Sequence, residues 1–522
     1  MAEKQIRVIG SQTLLDRIDS LTIGESSTSE PPIQPPTPTP GTWEPNENGH
    51  IIISQPGTYT LDRDLRHPIW YWGGGEIRIL LNGHSIESAR DAGPALRAYV
   101  AWKHKIYGDN TKAADVLHVK GPGKIHSLGS HGIEADAGKV LISDEVHVIC
   151  EAEDSGCVRA SGLIHARKSL FESRIQKISN RHSLPAVIAS EWSISDIEGC
   201  VIIGGQVGVS ITAGRGRIVG NFISQNSVAT NGYAVAVYRN HRTEIRDNVI
   251  VAANGRGILI NGGLDEADAD EGNRIINNHI TAQELPNQEY GSALNACCIR
   301  IRYAARNNAI NGNVCLALGG EGRVGCSALY LSNAPGVQNI FTDNVFSAVF
   351  AGRTESDGSE YLDRYAKAAT FEGQGNWVDN LPRYNDDQFI NNRFASNHIC
   401  CSFSGRDGWQ RGCHLKYRMS KNQYFLMDGG VIITQHREQA ISRIRNELNL
   451  TDSCRDIAEN RVRENVFHVG DVTRRERSYH FWTDARWRTP VNVDIQDSGV
   501  ESDFIVRRSA HGDYPVNITI KP

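Results

Sequence analysis

The chain reads as an all-β solenoid, a parallel β-helix, and three observations carry that reading. Composition favours short strands and tight turns over long helices: 50 of the 522 residues are Gly, aromatics are 7%, and Met occurs 3 times. An asparagine recurs between apolar positions, in "IVGNFI" at Asn221, "IRDNVI" at Asn248, "IINNHI" at Asn278, "AINGNV" at Asn313 and "IFTDNVF" at Asn344, and again in "FINNRF" at Asn392 and "VRENVF" at Asn465. The steps from Asn221 to Asn344 are 27, 30, 35 and 31 residues and later ones are longer, so a fixed minimum carries a variable excess, as in a coil with insertions. Between these motifs lie alternating apolar pairs: Val209 and Ile211, Val235 and Val237, Ile258 and Ile260, Ile299 and Ile301, Leu329 and Leu331.

Each coil therefore needs at least two short strands. No helical period separates them, which excludes a leucine-rich horseshoe, and they do not gather in the strand sets of a propeller. The repeated Asn is expected where one strand bends into the next. There a residue must take the left-handed conformation, which Asn tolerates better than other non-Gly residues, and coils stacked at about 4.8 Å let each side-chain amide bond the one above and below. Cys200 in "IEGCVI" and Ser173 in "LFESRI" are expected in the same slot, and inward Val, Ile and Leu build the core.

At the start, "IIISQPGTYTLDRDL" followed by "IRILLNGHSIES" resembles the opening coils of right-handed parallel β-helix proteins of the pectin-lyase-like superfamily, where a "PGTYxLxxDL" segment precedes an "LNGHxI" strand. The resemblance implies a right-handed helix. The superfamily includes pectin and alginate lyases, polygalacturonases, epimerases and bacteriophage tailspikes, so it leaves the activity open.

Residues 1–28 read as an anchoring segment in which Ser11 caps a short helix with Leu14, Ile18 and Leu21 on one stripe. Residues 29–42, rich in proline, form an extended linker. The β-helix is expected over 43–469, from Trp43 to Val469, with insertions near 352–388 and 402–456. The second insertion ends in an amphipathic helix carrying Ile441, Ile444 and Leu448, and 470–522 form a C-terminal cap or oligomerisation segment. Eleven cysteines without a CxxC pair are too sparse for a disulfide framework; buried thiols are expected, with a Cys150–Cys157 bridge as the alternative.

No secretory signal, bilayer-spanning run or Lys/Arg-rich tract is visible, and the net charge is -5, so neither membrane insertion nor a nucleic-acid partner is expected. A proline spacer joining a small anchor to a β-helix resembles a bacteriophage spike or fibre. That resemblance implies localisation in a virion, contact with virion proteins through residues 1–28, a homotrimer, and a host surface glycan as ligand.

Chemistry is expected on the lateral face. If Ile299 and Ile301 point inward, Arg300 and Arg302 point out, and equivalent places on neighbouring coils hold Tyr238, Arg239 and Tyr330 in one stacked row. Aromatic faces stack on sugar rings and Arg pairs with carboxylates, so the row suits an acidic glycan, with Trp377 of the first insertion as a further contact. Asp268 and Asp270, in "NGGLDEADADEGN", and Glu360 and Asp363, in the first insertion, are the candidate carboxylate pairs for glycoside hydrolysis. A lyase would use a base such as Tyr330 or His241 beside Arg300 and Arg302. The acidic stretch fails as an EF-hand because His279 falls at its twelfth position, and no phosphate loop, HExxH or GxSxG calls for a cofactor. The expectation is a spike that binds host polysaccharide, with depolymerisation left open. The alternatives are a non-catalytic structural or decoration protein of a virion, or a bacterial polysaccharide lyase or epimerase.

Overall fold

The computed structural model describes residues 43–98, 112–174, 186–191, 194–226, 232–239, 242–253, 255–262, 270–283, 296–303, 305–319, 326–333, 338–350, 366–373, 386–405, 415–426, 429–465, 481–484, 491–496, 504–505 and 516–520. The chain divides into two compact units, Met1–Thr37 and Pro38–Pro522. The first lies outside the described residues, as does the expected linker up to residue 42.

The second unit is a right-handed parallel β-helix. A typical coil lays down three short strands, one in each of three sheets. Among the described residues the first sheet has 15 strands from Ile51–Ile53 to Phe504–Ile505, the second has 15 from Gly57–Thr60 to Val516–Ile520, and the third has 12 from Ser85–Ser88 to Gln423–Leu426. Successive coils pair in parallel, as where Val209, Val235, Ile258, Ile299 and Leu329 share one column and Ile211, Val237, Ile260, Ile301 and Leu331 the next. All ten are at most 1% exposed. The alternation read from the sequence thus selects the inward face.

The second sheet adds its own inward column, Ile218, Ile245, Ile275, Ile310, Phe341 and Phe389. Burial of each such side chain contributes about 1.5–3 kcal/mol, so the repeat is stabilised coil by coil. Towards the C-terminus the core turns aromatic, with Phe341 stacked on Phe389 at 4.4 Å and Phe389 edge-on to Phe371 at 5.1 Å. At the other end Trp43, 6% exposed, sets its edge against Tyr59.

Asn221, Asn248, Asn278, Asn313 and Asn344 form one ladder, which Asn392 and Asn422 continue. From Asn248 to Asn392 each accepts two bonds at Oδ1 from the residue one coil earlier and sends its own Nδ2–H to the next amide and to a core carbonyl, as Asn248 does to Asn278 and Ile218. Cys200 occupies the slot as expected, since its N–H donates to Asn221 Oδ1. Ser173 does not: it pairs with Gly204 inside a strand, and Ser169, whose carbonyl receives the Val201 N–H, holds the place instead. Asn465 is not in the ladder either, because it ends an α-helix.

The left-handed residue is also not the ladder Asn but the one before it. Gly199, Gly220, Asp247, Asn277, Gly312, Asp343, Asn391 and Lys421 have φ between 52 and 64. The division of labour is physical: one residue turns the chain, and the next, freed from the turn, buries its amide. A second ladder, Thr243, Asn273, Asn308, Asn339 and Asp387, stands at the entrance to the second sheet. Its left-handed partners are Arg242, Gly272 and Asn307.

Two expected insertions contain coil strands. Ala366–Gly373 of the first belongs to the first sheet, and Ile399–Gly405, which runs into the second, supplies a strand to the first sheet, while Leu415–Ser420 and Gln423–Leu426 within it supply one each to the second and third. The chain then leaves the coil for helix α1 (Gly429–Asn446) and helix α2 (Asp452–Asn465). Ile441, Ile444 and Leu448 are buried as expected, although Leu448 lies just beyond α1. They pack with Cys454, Ala458 and Val462 of α2 on the outer face of the third sheet, against Val201, Ile203, Phe222, Val249 and Val251. Arg445 of α1 binds Glu459 of α2, which Arg463 also meets within α2, so the first of these pairs ties the helices together. The coils run on past Val469: Phe481–Asp484, Val491–Gln496, Phe504–Ile505 and Val516–Ile520 extend the first two sheets.

All ten described cysteines are free and buried. Cys150 and Cys157 do not bridge, and burial pushes the Cys150 thiol up to about 11.

Candidate functional site

The expected lateral face lies on the outside of the first sheet, on strands Tyr233–Tyr238, Arg256–Asn261, Cys297–Tyr303 and Cys326–Asn333. Parallel register sorts its outward residues into columns; the side-chain period of two breaks near the strand starts, where Ala234 and Val235, like Cys298 and Ile299, both face the core, and holds beyond them. Tyr233, Arg256 and Cys297 form one, Leu259, Arg300 and Tyr330 a second, and Tyr238, Asn261 and Arg302 a third. The five expected residues thus do not share a single row. Arg300 and Tyr330 are direct neighbours, Tyr238 and Arg302 share another column with Asn261 between them, and Arg239 lies beyond the strand end, exposed and left-handed at φ 53.

Three arginines on this face each meet a tyrosine. The Arg300 guanidinium lies 4.9 Å from the centre of the Tyr330 ring, a cation–π contact between adjacent coils. Arg302 lies 4.5 Å from the Tyr303 ring centre, and its Nη2–H donates to Tyr303 Oη at 2.6 Å. Arg256, 7% exposed, donates from Nη1 to Tyr233 Oη at 2.6 Å. None of the three arginines forms an ion pair with a described carboxylate. The Nε groups of Arg300 and Arg302 are buried without a hydrogen-bond partner.

The electrostatics follow from that crowding. Burial lowers the Arg256 guanidinium below its ordinary value, Tyr233 works against the shift, and the Arg300 charge adds to it. Burial pushes the Tyr238 phenol up, while Arg302 and Arg256 pull the other way. Several cations held near one another and paired with no described carboxylate can receive a carboxylate or sulfate, to which guanidinium forks bond strongly. Beside them lies an apolar patch of Ala186, Val207, Tyr233, Ala236 and Leu259, against which Tyr238 packs.

Tyr303, at φ 55, occupies the same corner as Arg239 two coils earlier. A bulky residue held left-handed is costly and persists where the surroundings over-determine it. Arg256, Tyr233 and Tyr303 were not singled out from the sequence. Their signal is the strand-start column shared by "YAVAVY" and "RGILIN", and the final Tyr of "CCIRIRY".

Of the other expected site residues, Asp268, Glu360, Asp363, Trp377 and His241 lie outside the described residues. Asp270 starts a two-residue strand paired with Ala305. Among the described residues, no group of three or more His, Cys, Asp or Glu side chains could hold a metal ion. No helix among them is long and apolar enough to cross a membrane. No protein-family model matches the chain, and no curated protein matches it in sequence.

Proposed function

We propose that the protein binds an acidic surface polysaccharide across the Arg/Tyr face of its first sheet, in the manner of a bacteriophage spike or fibre. The observation that supports this most is the pair Arg300 and Arg302, two outward cations beside the buried Arg256, each of the three against a tyrosine and none paired with a described carboxylate. A solvated face would ordinarily scatter opposite charges, as the second sheet does where Arg167 and Arg217 both meet Asp196 and Glu198. On this reading, residues 1–28 attach the protein to a particle and three chains assemble together.

The test is binding of host capsular or lipopolysaccharide glycans before and after chemical reduction of their carboxyl groups. Retention only of the acidic form supports the reading, and equal retention of both forms sinks it. The same incubations separate the enzymatic possibilities: new reducing ends mark a hydrolase, absorbance of an unsaturated uronate a lyase, and neither marks an adhesin.

A further inference from the structure

The buried end of the arginine face poses a problem of charge. Arg256 opens strand Arg256–Asn261 and lies among Tyr233, Leu259 and Cys297, none of them more than 4% exposed. Tyr233 and Cys297 are its partners in register on the coils before and after. A guanidinium carries several N–H donors, and the bond that the structure gives this one runs from Nη1 to Tyr233 Oη, with Cζ 5.3 Å from the centre of the same ring. That partner is a neutral phenol.

One coil on, Arg300 brings a second guanidinium within electrostatic reach. It lies over the Tyr330 ring, its Nε is buried without a hydrogen-bond partner, and its charge bears on both Arg256 and the Cys297 thiol. No described carboxylate forms an ion pair with either arginine. A buried cation beside another cation is costly, because loss of hydration and repulsion add while a phenol dipole offsets only part of them. Burial lowers the Arg256 guanidinium below its ordinary value, and the Arg300 charge lowers it further.

A negative charge at this point would relieve both costs together. It has to be small, since Tyr233, Leu259 and Cys297 at these exposures leave no space for a sugar ring. A monoatomic anion accepts from N–H donors in several directions without being oriented, and charge-assisted bonds to guanidinium are strong. We propose that Arg256 and Arg300 hold one small inorganic anion of halide size, such as chloride, between two coils of the first sheet. The site lies beneath the glycan contact and goes beyond it: the ion holds two cations one coil apart at the buried edge of the face.

Unfolding of the full chain in sodium chloride and in sodium gluconate at equal ionic strength tests this, because screening is then the same in both. The midpoint should rise as chloride replaces gluconate and then level off, as binding to the folded state requires. Arg256→Met, which fills the same buried place without charge, and Arg300→Gln should each abolish the difference between the salts. Sodium bromide gives an independent reading: anomalous scattering from crystals grown in it should place a bromide within hydrogen-bonding reach of Arg256. Equal midpoints in the two salts overturn the proposal, as does a chloride effect that survives both substitutions. If neither variant folds, the bromide position decides, and a map without bromide at Arg256 rejects the site. Neither measurement involves a glycan, so the outcome is independent of the binding proposed above.

Discussion

Asn248 Oδ1 accepts two hydrogen bonds from Asn221, one from the backbone N–H at 2.9 Å and one from Nδ2–H at 3.0 Å. Asn248 passes the same two donors on to Asn278, so every rung depends on the next. Asn278→Ala should therefore strand two buried donors on Asn248 and remove the side-chain donor to Asn313. At about 1–3 kcal/mol for each unsatisfied group, the loss should be of order 3 kcal/mol or more. Urea unfolding monitored by circular dichroism would show it, and a loss under about 1 kcal/mol would mean that water replaces the rung.

The turn residue beside each rung makes the opposite demand. Lys421 has φ 58 and an exposed side chain immediately before Asn422. Since a left-handed L-residue costs about 1–2 kcal/mol, Lys421→Gly should raise the unfolding midpoint and Lys421→Val should lower it. Equal midpoints for the two variants would contradict the assignment of strain to this position.

The coil was legible because its causes are local and periodic. Val235, Ile258 and Ile299 repeat one inward place, and Asn248 and Asn278 repeat one corner. What escaped was either non-periodic or two residues wide. The Asn motif hides two jobs, and only geometry assigns the turn to Asp247 and the ladder to Asn248. Asn465 matched the motif yet sits in α2, where Cys454, Ala458 and Val462 impose a four-residue period that the short match could not reveal. The lateral face was half legible: alternation put Arg300 and Arg302 outside, but the register that joins Arg300 to Tyr330 and separates it from Tyr238 depends on loop lengths between coils. Nothing in the sequence placed His436 of α1 over His279 of the third sheet, since 155 residues separate Thr281 from His436.

A buried ion pair gives a separate test of the first sheet. Arg97 donates to Glu134 Oε2 from Nε at 3.0 Å and from Nη2 at 2.6 Å, and its guanidinium lies over Trp70. Glu134→Gln leaves an uncompensated cation and should cost about 3–5 kcal/mol, whereas Arg97→Met with Glu134→Leu should be far milder. A double-mutant cycle of Arg97→Met and Glu134→Leu in thermal unfolding would fail this account if the two single effects simply added.

Acid should act on the third sheet through Glu172. The His147 imidazole 3.4 Å away, followed by the hydrogen bonds from Arg174, holds its carboxyl down at about 2 against an ordinary 4.5. A depressed acid stabilises the fold above its unfolded value, and that contribution disappears as pH falls from 4.5 towards 2. Glu172→Gln should therefore lower the melting temperature at pH 6 and converge with the parent near pH 2. A constant gap between the two curves across that window would show that the carboxylate charge is not what matters.

The arginine face makes the most direct prediction about function. Arg300 and Arg302 point outward in alternation with buried Ile299 and Ile301, so Arg300→Ala with Arg302→Ala removes two cations while leaving the inward column intact. A charge-assisted hydrogen bond contributes about 1.5–3 kcal/mol, so each lost guanidinium should weaken an acidic glycan by about ten- to a hundredfold. The unfolding midpoint should move little, because outward side chains carry little of the core. Binding by the parent should also fall as salt rises, and less so in the double variant, since fewer charges remain to be screened. Tyr330→Phe keeps the ring under Arg300 and should keep most of the affinity, which separates the cation–π contact from the hydroxyl. If the double variant binds the acidic polysaccharide as the parent does, with the same salt dependence, the face is only a solvated surface and the glycan must be sought elsewhere on the chain.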